Sequence, residues 1–170
     1  MRLANLLRVV VSAALPILAC GASSPEVLGL ESDASSAAQN AGDGSAQQLC
    51  VDTINAYRAT LGLSPLARWK SNESCVDGEA KSDMASKVAH GAFGTCLGGK
   101  GGAQNECPGY PMPIEQSLKG CLAQMWNEGP GTGTAHSHYT NMTNKNYTKV
   151  ACGFAISADG KTFWATQDFQ

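Results

Sequence analysis

Seven cysteines constrain this chain more than any other feature. Cys20 closes an apolar N-terminal run, and Cys50, Cys75, Cys96, Cys107, Cys121 and Cys152 spread over the rest. Arg2 and Arg8 give the N-terminus a positive end, and Leu6, Leu7 and Val9 to Ala19 form a short apolar core. That core is short for a bilayer span, so residues 1–20 read as a secretion signal. In an exported chain an even set of six cysteines reads as three disulfides. Each bridge contributes roughly 2–4 kcal/mol, mostly by restricting the unfolded chain. Six cysteines leave many pairings open. The pairing expected here is Cys50–Cys75, Cys96–Cys107 and Cys121–Cys152. No C-x-x-C pair occurs, which argues against a cysteine metal cluster.

Cys20 has its own reading. Ile17-Leu18-Ala19-Cys20 resembles a bacterial lipobox, in which the Cys is lipidated and becomes the new N-terminus. Gly21 and Ala22 supply no Asp retention signal, which favours an outer-membrane destination over retention at the inner membrane. The alternative is an ordinary signal peptide cleaved near Ala19 or Ala22, and a secreted product. Residues 21–45 are rich in Ser, Ala, Gly and Asp and hold no aromatic residue. They cannot bury a core and read as a flexible tether.

Residues 46–170 remain for one domain of ordinary size. Hydrophobic content of 43% against 15% charge is enough for a buried core. The formal net charge of −2 becomes −4 once Arg2 and Arg8 are removed. There is no basic patch, so a nucleic-acid partner is excluded as an expectation.

Local signals order the domain. Ser45 and Gln48 fit a capping box, and Val51, Ile54, Tyr57, Arg58 and Leu61 follow at helical spacing up to Gly62. A second helix is predicted over 72–89, with Val76, Ala80, Met84 and Val88 on one face and His90 at its end. Residues 91–112 are dense in Gly and Pro and read as a long loop cinched by Cys96 and Cys107. A third helix runs from Pro111 or Pro113 to Gly129, burying Ile114, Leu118, Cys121, Leu122 and Met125. Glu128 falls in its last turn, where a carboxylate opposes the helix dipole and calls for a cationic partner such as His. Two β runs, 149–158 and 161–169, flank a Ser157-Ala158-Asp159-Gly160 turn and make a hairpin. Helices followed by a small antiparallel sheet give the α+β class.

Two stretches carry a family resemblance. His138-Tyr139-Thr140-Asn141-Met142, followed by the run 146–155 with Val150-Ala151-Cys152-Gly153, resembles the CAP superfamily signature G-H-Y-x-Q-x-V-W and V-G-C-G. This superfamily comprises the cysteine-rich secretory, antigen-5 and pathogenesis-related-1 proteins. Asn55 to Arg58 with Gly62-Leu63-Ser64-Pro65-Leu66 is similar to its first helix, N-x-x-R-x-x-x-G-L-x-P-L. The resemblance covers residues 50–169 and implies a three-layer α-β-α sandwich of the CAP type. It also implies a cluster of two His and two Glu. The first His matches His90. The Glu of G-E-N matches Glu106 in Gln104-Asn105-Glu106-Cys107, with Cys107 in place of the Asn and Gly102 displaced. The Glu of W-Y-x-E matches Glu128 in Met125-Trp126-Asn127-Glu128, with Met125 in place of the Trp. The second His matches His138.

Two neutral imidazoles, His90 and His138, would ligate Zn²⁺ or a similar ion at about 2.0–2.1 Å. Glu106 and Glu128 would then orient the imidazoles, ligate, or polarise a bound water. Alternatively the four form a metal-free hydrogen-bonded network. His136 would face the same way as His138 in extended chain and offers an accessory ligand. Ser64, Ser71 and Ser137 lie in no nucleophile motif, although Ser137 sits between two histidines. Three glycosylation sequons begin at Asn72, Asn141 and Asn146, and a bacterial lipoprotein would not use them. The reading is an exported CAP domain that binds a ligand or partner without turning it over. Small lipids, including sterols, enter as ligands through the resemblance, beside a protein partner, with a divalent cation such as zinc in the cleft. Membrane association comes only through Cys20. Two other readings stand: a metal-assisted, protease-like hydrolase with Glu106 or Glu128 as general base, and a purely structural cluster.

Overall fold

The computed structural model describes residues 45–170. The expected signal peptide, Cys20 with its expected lipidation, and nearly all of the expected tether lie outside the described residues. The elements are helix α1 (Ser45–Thr60), strand β1 (Ala67–Arg68), helix α2 (Lys70–Ser86) and strand β2 (Ala103–Pro111). Helix α3 (Ile114–Asn127), a 3-10 turn (Thr134–His136), helix α4 (Ser137–Thr143) and strands β3 (Lys149–Ile156) and β4 (Thr162–Phe169) follow. The sheet order is β1-β3-β4-β2. β2, β4 and β3 are antiparallel neighbours, and the two-residue β1 adds a parallel pairing to β3, so the sheet is mixed.

Strand alternation builds the layers. Val150, Cys152 and Phe154 of β3, with Phe163, Ala165 and Phe169 of β4, turn to one face. There they pack against Cys50, Val51 and Ile54 of α1, Leu118 and Leu122 of α3 and Met142 of α4. The opposite face is lined with small residues, Ala151, Gly153 and Ala155, and receives α2 through Val76, Ala80 and Met84. This is the expected three-layer α-β-α sandwich.

Gly153 sets the spacing between α2 and the sheet. A Cβ on Gly153 would lie 2.3 Å from the carbonyl carbon of Val76 and 2.4 Å from the amide nitrogen of Asp77. Those are helix backbone atoms and cannot rotate away. Gly153→Ala is therefore expected to cost about 3 kcal/mol. Thermal melting checks it, and an unchanged midpoint would mean that α2 can slide off β3 freely.

Arg58 is 2% exposed and holds the far end of α1. Its guanidinium donates to the carbonyls of Ser64 at 2.9 Å, Met142 at 2.7 Å and Asn144 at 3.0 Å. Backbone oxygens thus compensate its burial, and no carboxylate is used.

Four local expectations are corrected. The second helix stops at Ser86, because Lys87 takes a left-handed φ of 58°. Val88, the next step of the apolar stripe, is exposed, and His90 lies outside the helix. The segment 103–111 is a strand. As the edge strand it tolerates Pro108 and Pro111, and its register shifts between Cys107 and Tyr110. Residues 137–143 are helical and not extended. The bridges join Cys50 to Cys152, Cys75 to Cys96, and Cys107 to Cys121. Cys50 and Cys75 cannot pair because α1 and α2 lie on opposite faces of the sheet. Cys107 turns toward α3 and meets Cys121 in that helix's buried stripe.

Both sheet borders have guards. The N–H of Phe154 on the β3 edge donates to Asp77 Oδ1 at 2.7 Å. On the β2 edge, Asn141 Nδ2 donates to the carbonyl of Gln104 at 3.3 Å.

Candidate functional site

Strand β2 feeds side chains to both faces. Gln104 and Glu106 point toward α2, and Asn105 points toward α3 and α4, where its amide is 3.8 Å from Met125 Sδ. His90 stands on the α2 side at a φ of 61°. A left-handed backbone costs a non-glycine residue about 1–2 kcal/mol and persists only where surroundings enforce it. Here the His90 N–H donates to Glu106 Oε2 at 3.0 Å, and its ring Nδ1 lies 2.9 Å from Gln104 Oε1. The Gln104 amide nitrogen in turn donates to Glu79 Oε2 and Asp168 Oδ1, both at 3.0 Å.

Four carboxyls gather beneath: Glu79, Asp83, Glu106 and Asp168, all buried. They tie the Gly-rich segment after α2 to the sheet. Glu106 holds the His90 N–H, Asp83 holds that of Ala92 at 2.8 Å, and Glu79 holds that of Cys96 at 3.0 Å. Trp164 Nε1 and Thr166 Oγ1 also donate to Glu106, at 3.1 and 3.3 Å. Burial, and then a hydrogen bond shared with Asp83, push the Glu106 carboxyl up to about 7; the N–H groups of His90 and Trp164 pull the other way. Burial and the charge of Glu79 push Asp168 up to about 7 against the Gln104 amide. Asp83 Oδ2 and Asp168 Oδ2 meet no N–H or O–H donor. The raised values of Glu106, beside Asp83, and Asp168, beside Glu79, mean that a proton held in each pair would supply a donor there.

On the other side of β2, Glu128 follows the end of α3. Its Oε1 is hydrogen-bonded to His138 Nδ1, and its Oε2 accepts the N–H of His138 at 3.0 Å and of Tyr139 at 3.3 Å. The partner that Glu128 calls for is thus the His138 ring, and the carboxylate also caps the start of α4. Asn105 Nδ2 donates to the His138 carbonyl at 3.2 Å, and Asn141 Nδ2 donates to Asn105 Oδ1 at 2.8 Å. His136 is tied elsewhere: its Nδ1 bonds the carbonyls of Glu128 at 2.7 Å and Gly129 at 3.1 Å. Because the chain is helical here, residues two apart do not share a face, and His136 does not line up with His138. Trp126 stacks on Tyr57 with centroids 4.9 Å apart, and Tyr139 packs on Trp126 at 4.8 Å.

The four expected residues are therefore organised as two pairs, His90 with Glu106 and His138 with Glu128, joined through β2. Among the described residues the one set of three ligand-type side chains within 4.8 Å of one another is Glu79, Cys96 and Asp168. The Cys96 sulfur is bonded to Cys75, so that set has no thiolate and reduces to two carboxylates. Sequence reasoning missed Gln104 and Asn105. A signal existed: reading G-E-N onto Ala103-Gln104-Asn105 keeps the Asn and turns the Glu into an amide.

A three-layer sandwich with paired His and carboxyl groups on either side of an edge strand defines a CAP-type domain. The sequence profile described as the cysteine-rich secretory protein family matches residues 51–169, and the chain belongs to that family. No curated protein matches it. Among solved structures it is similar to the venom allergen-like protein 4 of Schistosoma mansoni, at 14% identity and a TM-score of 0.52, covering 72% of this chain and 86% of that one. It is also similar to Na-ASP-1, at 16% identity and a TM-score of 0.52, covering 73% of this chain and 38% of that longer one. An outer surface protein of Borrelia burgdorferi matches at 14% identity and a TM-score of 0.53, covering 72% and 90% of the two chains. At these identities the likeness concerns the fold. The family and the three disulfides fit a protein exported to an oxidising compartment. No described helix is long and apolar enough to cross a membrane.

Proposed function

We propose that this protein is an exported, lipid-anchored CAP domain that binds a ligand or partner outside the cytoplasm without turning it over. His90 and His138 present their free ring nitrogens to that ligand, and a divalent cation such as zinc is the first candidate. One observation carries the reading: each imidazole has its Nδ1 engaged from behind, His90 by Gln104 and His138 by Glu128. Among the described residues the hydrogen bonds to both rings use Nδ1 and none uses Nε2, and metal-binding imidazoles are ordinarily backed in this way. A small lipid or a protein partner is the wider ligand class. The two carboxylates speak against turnover. Three protein donors already engage the Glu106 carboxyl and three that of Glu128, of about four lone-pair sites on each. A general base needs a lone pair aimed at substrate or water.

The test is a calorimetric zinc titration of the oxidised protein beside the His90→Ala, His138→Ala double variant. Saturable one-to-one binding in the parent, lost in the variant, is the expected result. Absence of binding in the parent would remove the cation from the reading. Peptidase or esterase activity lost on Glu128→Gln with the fold intact would replace the reading with a metal-assisted hydrolase.

A further inference from the structure

We propose that Gln104 is a positioning residue that fixes the neutral His90 imidazole in its Nδ1–H form, so that Nε2 alone, as a lone pair, is left for a ligand. The inference deepens the proposed reading of the two histidines and rests on it for the ligand, though not for the geometry.

The argument starts with the amide. A glutamine side chain can be placed two ways round, and its hydrogen-bond partners decide which is right. Gln104 has two buried acceptors on one side, Glu79 Oε2 and Asp168 Oδ1, each 3.0 Å from its nitrogen. The reverse placement would set the amide oxygen against both carboxyls and strip each of a donor. An unsatisfied buried polar group costs about 1–3 kcal/mol. The nitrogen therefore faces the acids, and Oε1 faces His90.

The ring follows from the oxygen. Gln104 Oε1 carries no proton, so at 2.9 Å His90 Nδ1 must be the donor. A neutral imidazole has one N–H, and with that proton on Nδ1, Nε2 is a bare lone pair. The main chain is clamped independently: Glu106 accepts the His90 N–H and holds its left-handed φ of 61°. Two side chains of one strand face thus fix a single residue, Glu106 its backbone and Gln104 its ring. A lone pair selects the ligand class. It favours an electron-pair acceptor, a divalent cation, and offers nothing to a phosphate or carboxylate.

The experiment is nitrogen-15 NMR of the imidazoles in the oxidised full chain at mildly alkaline pH. The His90 signals are identified by their disappearance in His90→Ala. The expected parent spectrum has His90 Nδ1 at a protonated and Nε2 at an unprotonated shift. An Nε2–H ring, or shifts averaged between the two forms, would overturn the proposal in the parent alone. Gln104→Met should release the ring to the Nε2–H form, while Gln104→Glu, which restores an acceptor oxygen, should keep Nδ1–H. A folded Gln104→Met protein with an unchanged tautomer would also overturn it. If that variant fails to fold, the parent and Gln104→Glu spectra decide. The two proposals fail separately. Zinc binding with an Nε2–H ring sinks this one alone, and an Nδ1–H ring without zinc binding sinks the cation reading alone.

Discussion

Replacing Cys50 and Cys152 together by Ala is expected to cost about 4–5 kcal/mol, the largest loss from removing any one bridge. The bridge closes a loop with a sequence separation of 102, and the entropy that a crosslink removes from the unfolded chain grows with loop length, to about 4.7 kcal/mol near 100 residues. The Cys107–Cys121 bridge, with a separation of 14, should cost nearer 3 kcal/mol. Position adds to length. Cys50 belongs to α1 and Cys152 to β3, both fully buried, so the bond ties a helical layer to the centre of the sheet. Denaturant titration of the two double-Ala variants measures the difference. Equal losses would show that the unfolded chain is already compact enough to make loop length irrelevant.

Stability should also fall as the solution moves from mildly acid through neutral pH. Unfolded Glu and Asp carboxyls release their protons near pH 4, while the folded protein holds those of Glu106 and Asp168 to about 7. A carboxyl whose folded value is raised contributes stability that is complete in acid and lost as pH climbs through that value. Between pH 5.5 and pH 8.5 the loss is about 2 kcal/mol for each of these carboxyls, most of it below pH 7. The order of melting points is then pH 6 above pH 8.5, and Glu106→Gln with Asp168→Asn should flatten the slope. A melting point that is flat from pH 6 to pH 8.5 would sink the shared-proton account.

The parts of the fold written in apolar periodicity were legible in the sequence. The α3 stripe from Ile114 to Met125 and the Asp159-Gly160 hairpin turn lie where the pattern puts them. Six half-cystines in an exported chain likewise announce three bridges. Their pairing does not follow, because it depends on which face of the sheet each residue reaches. Strand β2 escaped because its inward side chains are Gln104, Asn105 and Glu106, polar groups buried by hydrogen bonding. Helix α4 escaped because it is seven residues long and its first amides are satisfied by Glu128, nine residues before it. Of the candidate site, His90, Glu106, Glu128 and His138 could be named through the resemblance. Glu79, Asp83 and Asp168 could not, since a lone acid on a helix or strand reads as a solvated face.

The guards on the two borders of the sheet bear on how copies of this molecule meet. A border strand with bare amides and carbonyls is an invitation for another chain to add itself and keep adding. Here Asp77 occupies an amide on one border, and an asparagine, two prolines and a register slip disfigure the other. Molecules crowded side by side have no straight seam along which to zip, so close packing need not seed fibres.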